Sequence, residues 1–216
     1  MISVEQRDSR EAIVIAAEKL FAEFGLHGIA LRQISEAAGH KNTSAIQYHF
    51  GSRDALVEAV FIHRMAKINP DRQARLDTLK KNGRLNDMRS LISALVWPMA
   101  EELRPRPEGN HYVQFLSRAY QEKHLTIELA PTELMTAWTE LLGHIEALIR
   151  YLPTDIVQTR IASVADQCVF GLAAFEAMNL GETSAFEYKV ETLIDMITAG
   201  ATAPVSNAAM TALEKL

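Results

Sequence analysis

The chain has 216 residues, 48% of them hydrophobic and 23% charged, a composition that excludes a disordered chain and points to one large or two small domains. Its longest apolar run, Ala94 to Ala100, contains a proline and falls far short of the roughly 18 residues a membrane span needs, and the charged opening leaves no room for a secretory signal. A cytoplasmic protein without a membrane association is therefore expected. The net charge of −5 is unevenly spread: residues 1–64 hold 7 basic against 8 acidic side chains, residues 65–123 hold 11 against 7, and the remainder 4 against 12. Composition alone thus lends no support to nucleic-acid binding. Cys168 is the single cysteine, which excludes an intramolecular disulfide and predicts a small buried hydrophobe.

Taken in chain order, the apolar positions recur at helical spacing and the chain reads as all-α. Ile13, Ala16, Ala17, Leu20, Phe21 and Phe24 form the stripe of a first helix from about Arg7, ended by Gly25. A short helix follows from about Leu31 to Ala38 and stops at Gly39, and another begins near Thr43, whose hydroxyl can cap it, and ends around Phe50 and Gly51. Ser52 caps a longer helix that carries Leu56, Val57, Val60 and Phe61 and runs on toward Met65 and Ile68. Further helices are predicted over about 86–103, 110–123, 131–151, 155–179 and 184–199, divided by the Pro105 and Pro107 loop, Pro131, Pro153 and Gly181. This organisation divides into residues 1–52, residues 53–203 and a tail of 204–216.

Two helices of about two turns joined through a glycine turn are what a helix-turn-helix requires, and residues 28–53 supply them. The first turn of the second helix, Asn42, Thr43, Ser44 and Ala45, is small and hydrogen-bonding, so nothing bulky keeps it from a groove floor. Gln47 or Asn42 can pair with adenine, whereas Lys41 and the Tyr48 hydroxyl suit phosphates. A polar helix end is also what an ordinary solvated surface looks like.

The segment from Ile13 to Leu56 resembles the N-terminal domain of the tetracycline-repressor-like (TetR) family of bacterial transcriptional regulators. The resemblance rests on Ala16-Ala17, Leu20-Phe21, Gly25, Gly28, Arg32, Ile34, Ala37-Ala38-Gly39, Tyr48-His49-Phe50, Ser52-Arg53 and Leu56, about a quarter of the chain. It implies a three-helix helix-turn-helix domain followed by a larger helical effector and dimerisation domain. It also implies a DNA-contacting set of Arg32, Lys41, Asn42, Thr43, Ser44, Gln47, Tyr48, His49 and Arg53. Three features depart from the family pattern. The stretch from Gly39 to Phe50 is one residue longer, which puts Gln47 where a tyrosine is usual; Ala30 replaces a capping threonine or serine; and Arg53 stands where lysine is frequent.

For the remaining helices the resemblance implies a small apolar or aromatic effector, no cofactor, and release from a pseudo-palindromic operator on effector binding. Trp97, His111, Phe115, Trp138, Leu142 and Phe175 are the candidate pocket residues, although in any bundle such side chains are also plain core. His144 is a further histidine in an apolar helix. Phe170, Ala174 and Ala177 on the penultimate long helix and Val190, Ile194 and Ile197 on the last are the candidate homodimer surface, where the family pairs helices into a four-helix bundle. Burial inside one chain would produce the same pattern. A helical-bundle enzyme and a protein-protein adaptor without DNA binding are the alternatives. The first calls for paired Glu-x-x-His motifs, and only Glu108 to His111 fits, so no catalytic or metal site is expected.

Overall fold

Seven of the positions that bury the N-terminal helices, Ile13, Val14, Ala17, Phe21, Leu26, Ile34 and Ile46, are at most 1% exposed; of the predicted stripe Ile13, Ala17 and Phe21 are among them, whereas Phe24, at the end of the first helix, is 50% exposed. The computed structural model describes residues 4–107, 109–122 and 132–215. Within them lie α1 (Val4–Phe24), α2 (Leu31–Ala37), α3 (Ser44–His49), α4 (Arg53–Lys81), α5 (Met88–Ala100), α6 (Tyr112–Gln121), α7 (Thr132–Ile149), α8 (Thr154–Ala177), α9 (Phe186–Thr202) and α10 (Asn207–Leu213). Short 3-10 turns at Glu101–Leu103 and Leu180–Glu182 follow α5 and α8. The fold is all-α, with no strand among the described residues. No described helix is long and apolar enough to cross a membrane. Glu108, the acid of the isolated Glu-x-x-His pattern, and residues 123–131 lie outside the described residues.

Packing follows from which faces are apolar. Helices α1, α2 and α3 form the N-terminal unit, and α1 lies against both α4 and α6. Helix α5 is enclosed by α4, α7, α8 and α9, while α6 packs on α8. One apolar core runs from Ile13 to Ala201, so a boundary at 52/53 falls within continuous packing. Cys168 is fully buried and burial pushes its thiol up to about 12, the behaviour of a small core hydrophobe. Within the predicted tail, residues 204–215 hold a short helix, Asn207–Leu213, without buried residues, capped where Ser206 accepts the Ala209 N–H at 3.2 Å.

The helix after Ser52 continues well beyond Ile68, through Pro70 to Lys81. A proline removes one backbone donor, here the partner of the Ala66 carbonyl, but Ala66 and Pro70 are both exposed. Burial of Ile68, Arg72 and Leu76 on the opposite face carries the helix onward.

A buried ionic cluster joins the N-terminal unit to the rest. Arg64 on α4, 1% exposed, donates to both carboxylate oxygens of Glu18 on α1, through Nε at 2.6 Å and Nη2 at 2.8 Å. Its Nη1 donates to Glu102 at 3.2 Å, and Arg106 donates to the other oxygen of Glu102 at 2.6 Å. Glu18 also accepts the His111 backbone N–H at 3.1 Å, at the start of α6. That same helix is capped in trans by Glu176 of α8, which accepts the Val113 and Gln114 N–H groups at 3.2 and 2.7 Å. Burial nonetheless pushes the Glu176 carboxyl up to about 7.

Removing one partner of a buried pair leaves the other charge uncompensated, which typically costs about 3–5 kcal/mol. Glu18→Ala is therefore expected to destabilise the chain by about 3 kcal/mol, Glu102 retaining part of the pairing. Urea denaturation checks it: a loss under about 1 kcal/mol would mean that the cluster does not hold these elements together.

Candidate nucleic-acid interface and internal cavity

The turn between α2 and α3 is built by side chains as much as by backbone. Gly39 adopts φ +82°, the left-handed conformation that lets the chain leave α2, and the His40 N–H reaches back to the Ser35 carbonyl at 2.9 Å. Buried Ser35 donates its hydroxyl to the Asn42 carbonyl, and His40 Nε2 lies 3.2 Å from Ser9 Oγ on α1. The cap of α3 comes from Asn42, whose Oδ1 accepts the Ser44 N–H at 2.9 Å and bonds the Ser44 hydroxyl. Thr43, the expected cap, makes no such bond. Ile46, 1% exposed, anchors the helix from below. At the start of α2, where Ala30 offers no side-chain cap, Gln33 reaches back to accept the Ala30 N–H at 3.1 Å.

This frame leaves Lys41, Asn42, Thr43, Ser44, Gln47 and Tyr48 exposed on one short segment, Tyr48 at 74%. Since Asn42 commits its side-chain oxygen to the cap, Gln47 is the exposed amide of this segment whose chemistry suits bidentate pairing with adenine. Arg32 is exposed on α2 and held by Glu36 at 2.7 Å. His49 is half-buried with its ring edge-on to Tyr48, and burial, helped by Arg10 and His40, lowers its pKa, so it supplies no cation at neutral pH. Arg53 departs from the expected phosphate contact. Its guanidinium donates to the Leu26 carbonyl at 2.6 Å and the Ile29 carbonyl at 2.7 Å, and it lies over the Phe21 ring, which locks the α1–α2 loop.

A cavity of about 400 Å³ opens between α4, α6, α7 and α8. Trp138 and Leu142 line it as expected, together with Phe61, Met65, Tyr112 and Leu116. The other four candidates lie elsewhere. Trp97 fastens α5 to α9, with Nε1 donating to Glu191 at 2.9 Å and its ring edge-on to Phe186. Phe115 is wedged between Phe21 of α1 and Tyr112, His111 begins α6 beside Glu18, and Phe175 packs on the core away from the cavity wall. Large side chains at helical spacing do not disclose which face meets a void. Arg72, by contrast, does line it, although in sequence a charge two residues after Pro70 reads as the solvated end of a helix.

The dimer candidates also separate. Val190, Ile194 and Ile197 are fully buried against their own chain, so substituting Ile194 would damage the core, not an interface. Gly171 serves the same internal packing, since a Cβ there would come within 2.8 Å of Leu193. Phe170, Ala174 and Ala177 stay exposed, continued by Met178, and α9 exposes Tyr188, Thr192 and Met196.

Comparison with known proteins agrees with this geometry. The profile of bacterial regulatory proteins of the tetR family matches residues 13–60. The chain is 28% identical over 109 residues to the HTH-type transcriptional repressor AcnR of Corynebacterium efficiens, covering 47% of this chain and 54% of the relative. It is 45% identical over 51 residues to the HTH-type transcriptional regulator RutR of Escherichia coli K12, 24% of each chain. The match thus spans about half of the first relative's length and less of the second. Both relatives are named as transcription regulators. Among solved structures, an alanine-substituted HlyIIR shares the fold at a TM-score of 0.58 and 18% identity, covering 94% of this chain and 100% of that one. A structure described as a tetR family transcription regulator from Shewanella sp. PV-4 gives 0.53 and 20%, covering 88% and 95%.

If Arg53 is a lock for the α1–α2 loop, Arg53→Ala should lower the unfolding free energy by about 2 kcal/mol, the usual scale for charge-assisted bonds to carbonyls. Lys41→Ala, on the exposed face, should stay within about 0.5 kcal/mol of the parent. Equal stabilities in urea denaturation would refute the internal role of Arg53.

Proposed function

From residues 13–60, which match the profile of bacterial regulatory proteins of the tetR family, we propose that this chain is a member of that family and a homodimeric DNA-binding transcriptional repressor. A small molecule in the central cavity would release it from its operator. The observation that carries the reading is the exposed first turn of α3, held rigid by Asn42, Ser35 and Ile46, on a unit whose α1 packs directly on two cavity-lining helices. AcnR, named as a repressor, supports repression over activation.

In this reading Thr43, Ser44 and Gln47 face base edges, while Lys41, Tyr48 and Arg32 face phosphates. Two copies joined through the exposed apolar stripes of α8 and α9 would set their α3 helices on successive major grooves of a pseudo-palindromic site, roughly 34–36 Å or a multiple apart. Phe170, Met178, Tyr188 and Met196, each at least 36% exposed, make that surface apolar.

The cavity reaches the reading head through two elements. Helix α4 contributes Phe61, Met65 and Arg72 to the wall and Arg64 to the Glu18 clamp. Helix α6 contributes Tyr112 and Leu116 to the wall and Phe115 to the contact with Phe21. A ligand that binds one arrangement better than the other would shift the separation of the two α3 helices and weaken binding to both half-sites at once.

Gel-shift titration on the DNA flanking its own gene tests the function, and failure to bind any such fragment specifically overturns it. Lys41→Ala should weaken all sequences and lower the salt slope by about 1, whereas Gln47→Ala should mainly relax sequence preference. Light scattering should give twice the 24.1 kDa chain mass, and Phe170→Glu with Met196→Glu should shift it toward one. A persistent dimer in that double variant would move the interface elsewhere.

A further inference from the structure

Among the described residues that line the cavity, Arg72 is the one that is both charged and buried. It is 1% exposed, and its Nε and Nη1 have no hydrogen-bond partner. The Trp138 ring lies against it, centroid 5.1 Å from the guanidinium carbon. The phenol of Tyr112, fully buried on the same wall, is likewise without a partner. The neighbouring acid is already committed: Asp71 accepts from Arg75 Nε at 3.1 Å. Glu146, the acid on the cavity wall, belongs to the exposed side of α7.

Burial lowers the Arg72 pKa only to about 10, so the group is still a cation at neutral pH, and the nearby Tyr112 phenol and Cys168 thiol are neutral there. A buried cation with unsatisfied donors is strongly destabilising, and an anion that neutralises the charge and accepts from one of those donors removes much of that penalty. Nε–H and Nη1–H leave different edges of the guanidinium, so a carboxylate accepts from one of them, and the phenol O–H on the same wall supplies a further donor. A phosphate dianion would bring a second charge and more oxygens than these donors satisfy, into walls that are otherwise apolar.

We propose that the cavity takes an amphipathic organic monocarboxylate, its carboxylate paired with Arg72 and hydrogen-bonded by Tyr112 and its apolar body against Trp138, Leu116 and Met99. The proposal rests on the reading of this cavity as the effector site and narrows the effector class from apolar to apolar-acidic. An acid seated on Arg72 also acts on α4, eight residues from the Arg64 clamp on the same helix.

The test is direct binding to the full chain. In a Trp97→Phe background Trp138 is the single tryptophan, so its fluorescence reports the cavity. Decanoate and phenylbutyrate are titrated against their primary amides and against inorganic phosphate. At least one acid should quench Trp138 and bind tenfold or more tightly than its amide, with phosphate silent. Arg72→Met should abolish that preference while raising the ligand-free unfolding temperature, because it removes an unpaired charge from the core. Tyr112→Phe, which keeps the ring, should cut acid affinity several-fold and serves if Arg72→Met fails to fold. Neither acid binding, an amide binding as well as its acid, or a retained preference in Arg72→Met or undiminished acid affinity in Tyr112→Phe would each overturn the proposal. Acid binding through Arg72 that leaves operator affinity unchanged would support the carboxylate site and overturn effector control. Operator release by neutral compounds with no acid bound would do the reverse.

Discussion

The single interaction on which the architecture depends is the sharing of one buried guanidinium between two carboxylates. Arg64 ties α1 to α4 through Glu18 and ties both to the turn after α5 through Glu102. Taking three charges out of water is expensive, and the expense is met only in a geometry where every donor finds its acceptor. Rotation of α1 relative to α4 would strand those charges. The orientation of the N-terminal unit relative to the bundle is thereby fixed.

Two turns further along the same helix the situation is inverted. Arg72 is buried to the same degree as Arg64, yet it meets an aromatic face and a phenol instead of carboxylates. One helix thus carries a saturated cation facing the N-terminal unit and an unsaturated one facing a void. Helix α6 runs alongside with the same double allegiance, Phe115 to Phe21 and Tyr112 to the cavity. Its first turn is pinned from both sides, by Glu18 at His111 and by Glu176 at Val113 and Gln114. Such packed elements pass on displacements because close-packed interiors rearrange between alternatives more readily than they deform.

The distribution of apolar surface on α8 and α9 shows how one stripe is divided between inside and outside. Small residues let helices approach, and Gly171 spends that closeness on Leu193 of its own chain. Ala174 and Ala177, on the neighbouring face, stay uncovered, while Arg89 pairs with Glu191 and Asp195 to hold α9 against α5.

By itself the sequence determined the all-α class, the existence and order of α1 to α3 with their ends to within about three residues, and the exposed polar turn at Asn42 to Gln47. These depend on local signals: apolar periodicity over one or two turns, Gly25, Gly39 and Gly51 at helix ends, and a motif contained within about fifty residues. Only the tertiary structure decided which side chains meet the cavity, the interface or each other. Trp97 and Phe115 share the character of Trp138, and nothing local distinguishes them. Their neighbours, α9 and α1, come from positions about a hundred residues away in the chain. Arg53 reads as a surface cation until the α1–α2 loop folds back to present two carbonyls, and Ile194 reads as an interface until α5 covers it. Arg72 reads as solvated for the same reason. A proline nearby marks a helix end in sequence, but burial of the residues beyond it outweighs one lost backbone bond and carries the charge into the core.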